Sequence, residues 1–221
     1  MSGWLALVGG GEWQAGCAGF DGHLLAASGG DEVLVLPTAA AYERPDRAVE
    51  TATRHFAGLG GRVRPVMALA RTHAEDPELV AQVRGARFVY LSGGSALHLR
   101  SVFKDSSLWH ALVAAWHDGA VVAGSSAGAM VLCDPMVDPR GGAFTLGLDL
   151  VAQVAIIPHH DTWSPEKARR TVHLAAPTVP VIGIDEQTAL LRSPDGTWSV
   201  EGRGAVTVFL AGAEGTLADL P

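Results

Sequence analysis

The chain contains a serine in a glycine-rich stretch that is suited to nucleophilic chemistry. Ala120–Met130 reads as a short apolar strand that passes through a tight turn into a helix, and the turn, Gly124–Gly128, has the pattern G-x-S-x-G with Ser126 at its centre. Such a turn presents the serine hydroxyl at the end of a sheet, and the following helix offers free N–H groups to an anion. The stretch predicts a nucleophile beside an oxyanion site. The alternative is a turn that only lets a helix pack close to a strand.

A serine nucleophile needs a base to accept its proton and an acid to orient that base. Two predicted strands downstream of Ser126 end in such residues: His159 follows Val154–Pro158, and Glu186 follows Val181–Ile184. The chain order serine, histidine, carboxylate differs from the serine, acid, histidine order of α/β-hydrolases, but such sites are defined by geometry and not by order.

Other residues compete for these two roles. His160 is an alternative base, and Asp161 and Asp185 are alternative acids. His159, His160 and Asp161, with His173, also suggest a metal site. Adjacent histidines in an extended stretch point to opposite faces, which disfavours that interpretation. We therefore expect no metal and no organic cofactor.

The elements that must position these residues alternate between strand and helix. The first four apolar runs predict strands covered on both faces, as in a parallel sheet. These predicted strands are Trp4–Val8, Val33–Pro37, Arg62–Leu69 and Phe88–Leu91. Helical spacing and turn signals predict helices over Tyr42–Leu59, Asp76–Val83 and Ser107–His117, and one that begins near Ala96. In such sheets ligands bind outside the carboxyl ends of the strands, so the glycine turns at Gly9, Gly93 and Gly124 are expected to converge on one site.

The last third of the chain departs from this alternation. A helix is expected from Pro165 to Ala176, capped by Ser164. Thr188–Arg192, Trp198–Glu201 and Val206–Leu210 read as antiparallel strands. We find neither an internal repeat nor a low-complexity linker, so residues 1–221 are expected to form a single domain.

Composition limits the classes of function. The chain has 221 residues and a net charge of -7, which argues against a nucleic-acid partner because phosphate binding needs a basic face. No apolar segment approaches the length of a membrane span, and the apolar run at residues 4–8 is too short for a signal peptide. The two cysteines, Cys17 and Cys133, are not in a ligand spacing. A cytoplasmic protein with reduced thiols is therefore expected.

Four stretches of the sequence resemble the serine peptidases that include aspartyl dipeptidase (dipeptidase E) and cyanophycinase. They are Gly9–Glu12, Ser92–Gly94, Gly124–Ala129 and Ile182–Glu186, and the resemblance extends from near Leu5 to about Leu191. It implies an α/β fold of the class I glutamine-amidotransferase-like (flavodoxin-like) type, a three-layer sandwich with a mostly parallel sheet and antiparallel strands near the C-terminus.

The resemblance also implies a role for each candidate residue. Ser126 would be the nucleophile, His159 the base and Glu186 the orienting acid, with oxyanion donors from Ala127 and the Gly93-Gly94 turn, Gly94 in particular. Where the family usually has an aromatic residue after the histidine, this chain has His160.

Substrate recognition is implied less directly. The family members named above recognise an acidic group, which arginine holds well. Arg169 and Arg170 lie where relatives carry arginines, so both are substrate-binding candidates together with His160; the alternative is a helix face paired with surface acids. Family members have an amide or acidic residue after the second glycine turn, whereas this chain has Ser95-Ala96. This departure disfavours cyanophycinase activity.

These observations together predict a serine peptidase of the aspartyl-dipeptidase type that hydrolyses small peptides through an acyl-enzyme. The alternatives are a cyanophycinase-like hydrolase, an esterase or amidase on the same residues, and a non-catalytic amidotransferase-like binding module. No membrane partner is expected, and the exposed sheet edge is compatible with a homodimer.

Overall fold

Strands and helices alternate through Leu132 in the computed structural model, which describes residues 2–140 and 143–221. The elements in chain order are β1 Leu5–Val8, α1 Ala18–Ser28, β2 Glu32–Leu36, α2 Pro45–Gly58, β3 Arg62–Pro65, α3 Pro77–Arg84, β4 Phe88–Leu91, α4 Ala96–Phe103, α5 Ser107–His117, β5 Val121–Ser125 and α6 Ala127–Leu132.

The remainder of the chain is richer in short strands. The elements are β6 Cys133–Asp134, β7 Met136–Val137, β8 Phe144–Thr145, β9 Val151–Ala152, β10 Ala155–Ile157, α7 Pro165–Leu174, β11 Val181–Ile184, β12 Thr188–Arg192, β13 Trp198–Gly202, β14 Val206–Leu210 and β15 Ala213–Glu214.

Most predicted boundaries lie within two residues of the observed ones, and the two that differ by more do so for local reasons. The third strand was expected to reach Leu69 but ends at Pro65, because Pro65 pairs with Val35 and the partner strand β2 ends one residue later. Helix α2 was expected from Tyr42 but begins at Pro45. A residue that precedes proline is disfavoured in the helical conformation, and Arg44 accordingly has a φ of -140°.

The main sheet has seven strands in the order β13-β12-β1-β5-β4-β2-β3. Strands β1 to β5 are parallel to their neighbours within this set, while β12 is antiparallel to β1 and β13 is antiparallel to β12. The predicted α/β class with a mostly parallel sheet is therefore confirmed. The carboxyl ends of β1, β5 and β4 lie side by side, and the turns at Gly9, Ser126 and Gly93 follow them directly.

The C-terminal strands divide between two sheets. Strands β12 and β13 extend the main sheet, whereas β10, β11, β14 and β15 form a second sheet in that order. In the second sheet β10 and β11 are parallel and β14 is antiparallel to β11. His159 and Glu186 lie in the stretches that follow β10 and β11. The second sheet therefore places both residues at the edge of the main sheet.

Both faces of the main sheet are buried. Successive residues of each central strand point to opposite faces, so Leu5 and Leu7 face one layer and Ala6 and Val8 the other. One layer consists of α1 and α2, with Phe20 and Phe56 at its centre; the other contains α3 to α6 and the second sheet. This is the expected three-layer sandwich.

Within the described residues, no helix is both long and apolar enough to span a bilayer.

A buried hydrogen bond links the two helices of the first layer. Asp21 on α1 is fully buried, and its Oδ2 lies 2.8 Å from Nε2 of His55 on α2. Burial raises the pKa of Asp21 from 3.8 to about 6, an effect that the hydrogen bond to His55 only partly offsets. The folded state therefore binds the Asp21 proton more tightly than the unfolded state does.

This pair predicts a pH dependence of stability. Because the folded pKa is raised, the contribution of Asp21 to the free energy of unfolding is greatest below pH 4 and is lost as the pH rises to about 6. The two-unit difference corresponds to about 3 kcal/mol. Urea unfolding of Asp21→Asn and of the wild type between pH 4 and 7 measures this term, with Asp118→Asn, at an exposed position, as the control. Equal slopes in wild type and Asp21→Asn would contradict the assignment.

Candidate active site

Ser126 lies on a sharp turn between β5 and α6. Its φ of 49° and ψ of -108° belong to a region that residues with side chains rarely adopt. Glycines on both sides permit the turn, since a Cβ on Gly124 would lie 2.6 Å from the carbonyl carbon of Gly128, and one on Gly128 would lie 2.4 Å from the carbonyl oxygen of Leu91. The Ser126 N–H donates to the Val8 carbonyl at 2.9 Å, which ties the turn to the end of β1.

Ser126, His159 and Glu186 form one continuous hydrogen-bonded chain. The Ser126 hydroxyl lies 2.9 Å from Nε2 of His159, and Nδ1 of the same ring lies 2.7 Å from Oε1 of Glu186. With the neutral imidazole protonated on Nδ1, the ring donates to Glu186 and accepts from Ser126. This arrangement can remove the serine proton during attack and stabilise the imidazolium that results.

The backbone around His159 holds its ring in place. His159 has a φ of 50°, and its N–H donates to the Gly9 carbonyl at 2.7 Å. The ring packs against Gly10, where a Cβ would lie 2.2 Å from the imidazole Cε1. Only glycine at this position leaves space for the imidazole, so the loop after β1 forms one wall of the site.

Glu186, and neither of the two alternative acids, contacts His159. The Asp161 carboxylate instead accepts a hydrogen bond from the Glu186 N–H at 3.1 Å. The Asp185 carboxylate accepts from the Ala205 N–H at 2.9 Å. Both aspartates therefore support the local backbone around Glu186.

His160 faces away from Ser126. Its Nδ1 lies 3.8 Å from Asp185, and its ring packs on Gly183 and near Phe209. The imidazoles of His159 and His160 thus have different partners. Among residues 2–140 and 143–221, no group of three or more metal-binding side chains is assembled.

The second glycine turn follows β4 beside Ser126. The Gly93 N–H donates to Oε1 of Glu12 at 2.8 Å, and the Ser95 N–H donates to the Ala39 carbonyl at 2.8 Å. Gly94, between them, has a φ of 132°, and a Cβ there would lie 2.4 Å from the Ala39 carbonyl oxygen. Its N–H and that of Ala127, the first residue of α6, are the two N–H groups that the sequence analysis predicts as oxyanion donors.

A cavity of about 430 Å³ opens in front of Ser126 and His159. Two arginines at the start of α2, Arg44 and Arg47, lie on its wall together with Glu12 and Glu43. The other lining residues are Trp13, Ala40, Ala48, Thr51, Gly93 and Gly94. Such a volume suits a small ligand, and the two arginines make one part of the wall cationic.

Arg169, Arg170 and His160 line a different cavity, which has a volume of about 780 Å³ and lies between α7 and the second sheet. The structure therefore does not bring these three predicted substrate-binding residues to the cavity of Ser126. The arginines that line the cavity of Ser126 are Arg44 and Arg47, which were not singled out in the sequence. The available signal was their position after β2, whose carboxyl end lies at the same edge of the sheet as those of β4 and β5.

Glu12 was noted in the sequence only as part of a matching stretch, with no role of its own. In the structure its carboxylate contacts both the Gly93 turn and Ser125. Its position directly after the glycines that end β1 was the signal for a place at this edge of the sheet.

An α/β sandwich that carries a serine, a histidine and a carboxylate in one hydrogen-bonded chain is the arrangement of serine hydrolases. The model of peptidase family S51 matches residues 5–198. The chain belongs to this family.

Two relatives are similar in sequence to most of this chain. It is 28% identical to the cyanophycinase of Synechococcus elongatus over 82% of its length, but spans only 60% of that protein. It is also 28% identical to peptidase E of Citrobacter koseri, covering 82% of this chain and 81% of that protein. The chain thus corresponds to about three-fifths of the cyanophycinase and to most of the peptidase E.

Solved structures show the same architecture. A peptidase from an acI-B1 Actinobacterium superposes with a TM-score of 0.87 at 30% identity, covering 97% of this chain and 93% of that one. A putative peptidase E from Listeria monocytogenes superposes with a TM-score of 0.72 at 16% identity, covering 92% and 100%. The second likeness concerns the fold alone.

Proposed function

We propose that this protein is a serine peptidase that hydrolyses small peptides bearing an acidic N-terminal residue. The observation that carries the proposal is the chain of two hydrogen bonds, 2.9 Å and 2.7 Å long, that joins Ser126 through His159 to Glu186. Membership of peptidase family S51 and the similarity to peptidase E support peptide hydrolysis.

The reaction proceeds through an acyl-enzyme. The Ser126 Oγ attacks the carbonyl carbon of the scissile bond while its proton passes to Nε2 of His159, and Glu186 stabilises the imidazolium. The N–H groups of Gly94 and Ala127 donate to the oxyanion. His159 then gives the proton to the leaving amine, which departs. Water attacks the ester, again with His159 as base, and releases the acid product and the free serine.

The acidic preference is proposed from the charges of the cavity. Arg44 and Arg47 are exposed and line the cavity that contains Ser126. Arg44 makes a long contact of 3.4 Å with the exposed Asp46. In the described parts of the chain Arg47 makes no ion pair, so its guanidinium is free to hold a carboxylate bidentately.

The experiment is a comparison of dipeptides that differ at the first residue. The substrates are Asp-Leu, Asn-Leu and Leu-Leu, with an N-acetylated amino-acid ester added to detect esterase activity. We expect the highest kcat/KM for Asp-Leu. Turnover of the ester alone would indicate an esterase, and failure of an organophosphonate to label Ser126 would indicate a binding module.

Variants of the arginines test which cavity selects the substrate. Arg47→Gln is expected to lower kcat/KM for Asp-Leu by about 10- to 100-fold, since a hydrogen bond to a charged group contributes about 1.5–3 kcal/mol. The value for Asn-Leu should change little. Arg169→Gln and Arg170→Gln are the matched controls from the larger cavity. A loss in these variants that is absent in Arg47→Gln would assign recognition to Arg169 and Arg170 instead.

We propose a cytoplasmic location on the chemistry of the two cysteines. Cys17 and Cys133 are free and buried, and burial raises the pKa of Cys17 to about 12. Free thiols are typical of proteins kept in a reducing compartment.

A further inference from the structure

The Glu12 side chain joins the two turns that flank the nucleophile. Its Oε1 accepts from the Gly93 N–H at 2.8 Å, and its Oε2 accepts from the Ser125 hydroxyl at 2.8 Å. Ser125 is fully buried and directly precedes Ser126. A Cβ on Gly93 would lie 2.9 Å from Oε1 of Glu12 and 3.4 Å from the Cβ of Ser126. The carboxylate, the glycine turn and the nucleophile are thus in mutual proximity.

The backbone that precedes Glu12 binds the remaining parts of the site. The carbonyl of Val8 accepts from the Ser126 N–H at 2.9 Å, that of Gly9 accepts from the His159 N–H at 2.7 Å, and that of Gly10 accepts from the Gln187 N–H at 2.8 Å. The segment after β1 therefore hydrogen-bonds to the backbone of Ser126, of His159 and of Gln187, the residue after Glu186. The Glu12 side chain adds a hydrogen bond to the glycine turn at Gly93.

Two backbone N–H groups of the turn, those of Gly93 and Ser95, already have acceptors. Gly93 is engaged by Glu12, and Ser95 by the Ala39 carbonyl. Only the N–H of Gly94 lies between these two fixed points. Gly94 has a φ of 132°, a conformation that glycine adopts readily but that residues with a Cβ rarely adopt. A carboxylate beside an oxyanion site repels the developing charge, so any benefit from Glu12 must come from geometry.

We propose that Glu12 is a positioning residue that orients the Gly94 N–H toward the oxyanion by holding Gly93 and Ser125. This inference rests on the proposed function. It assigns Glu12 to the chemical step and not to the binding of substrate.

Three variants of the full-length chain separate this role from others. Glu12→Ala removes both hydrogen bonds. Glu12→Gln keeps the bond from the Gly93 N–H to the side-chain oxygen and reverses the second bond, because the amide nitrogen can only donate to the Ser125 hydroxyl. Glu75→Ala is the matched control, since Glu75 also accepts from a backbone N–H, that of Ser107 at 3.1 Å, outside the Ser126 cavity.

The measurements are kcat and KM for Asp-Leu and the affinities for a peptidyl boronic acid and for the product aspartate. Loss of one oxyanion donor lowers kcat by about 10²- to 10³-fold, so its misalignment in Glu12→Ala should lower kcat by about 10- to 100-fold with KM nearly unchanged. The boronate, whose adduct places an oxygen in the oxyanion site, should lose affinity by a similar factor, and aspartate should not. Glu12→Gln should recover most of the loss.

Four results would overturn the proposal. A rise in KM for Asp-Leu, with an N-acetylated ester unaffected, would make Glu12 a ligand for the substrate ammonium group. Unchanged boronate affinity in Glu12→Ala would show that Glu12 does not affect the oxyanion site. If Glu12→Gln were as impaired as Glu12→Ala, the hydrogen bond to Gly93 would not account for the effect of Glu12. If the wild type hydrolyses no peptide, the proposed function fails, but the role of Glu12 can still be tested by amide hydrogen exchange at Gly93. Unchanged exchange at Gly93 in Glu12→Ala would refute the proposal that Glu12 holds this turn.

Discussion

Replacing Ser126 with alanine is expected to lower kcat for peptide hydrolysis by about 10⁶-fold, the scale of loss when a serine peptidase loses its nucleophile. The substitution removes one oxygen, whose hydrogen-bond partner is Nε2 of His159 at 2.9 Å. The fold should persist, since the Ser126 backbone N–H still donates to Val8. Peptide should therefore bind with nearly wild-type affinity but remain uncleaved.

The measurement is product release from Asp-Leu, together with binding of the same peptide by calorimetry to the inactive variant. Ser101→Ala is the control, because Ser101 is an exposed serine on α4 that donates to its own helix. A residual rate above about 1% of wild type in Ser126→Ala would exclude Ser126 as the nucleophile of this reaction.

The strands and helices were predictable where local chemistry decides them. Short apolar runs that end at polar or glycine-containing turns predicted β4 and β11 with the bounds Phe88–Leu91 and Val181–Ile184 that the structure has. Helix α7 begins at Pro165 as expected, because the Ser164 hydroxyl accepts from the Lys167 N–H.

The division of the C-terminal strands into two sheets was not predictable from the sequence. Strand β12 pairs with β1, far away in the chain, whereas β14 pairs with β11. Both are apolar segments with similar flanking turns, and pairing between distant strands depends on packing that no local pattern records. Local patterns accordingly predict antiparallel strands near the C-terminus but not their assignment to separate sheets.

The candidate site shows the same limit. Residues one or two positions after a strand, such as Ser126, His159 and Glu186, were selected because carboxyl ends of strands meet at one edge. Arg47 was missed because it enters the cavity from a helix that begins several residues after its strand. Arg169 and Arg170 were selected by resemblance, and the structure places them at another cavity. Which cavity a helical side chain reaches depends on how the helix packs, and no local sequence pattern records this packing.

Replacing Glu186 with glutamine is expected to lower kcat by about 10⁴-fold, with KM nearly unchanged. The carboxylate can only accept, so it selects the His159 tautomer that is protonated on Nδ1 and leaves Nε2 free for the Ser126 proton. Glutamine can donate to Nδ1 and thereby stabilise the opposite tautomer, in which Nε2 cannot act as a base; loss of the acid charge in this way has an effect of that size in other triads.

The matched control is Asp185→Asn, one residue earlier, whose carboxylate accepts from Ala205 and lies 3.8 Å from His160 but makes no bond to His159. Measurement of kcat for Asp-Leu across pH 5–9 distinguishes the two positions. If Asp185→Asn lost as much activity as Glu186→Gln, the orienting acid would not be Glu186 alone. If Glu186→Gln retained more than about a tenth of the wild-type kcat, tautomer selection by this carboxylate would be refuted, because the expected loss is far larger.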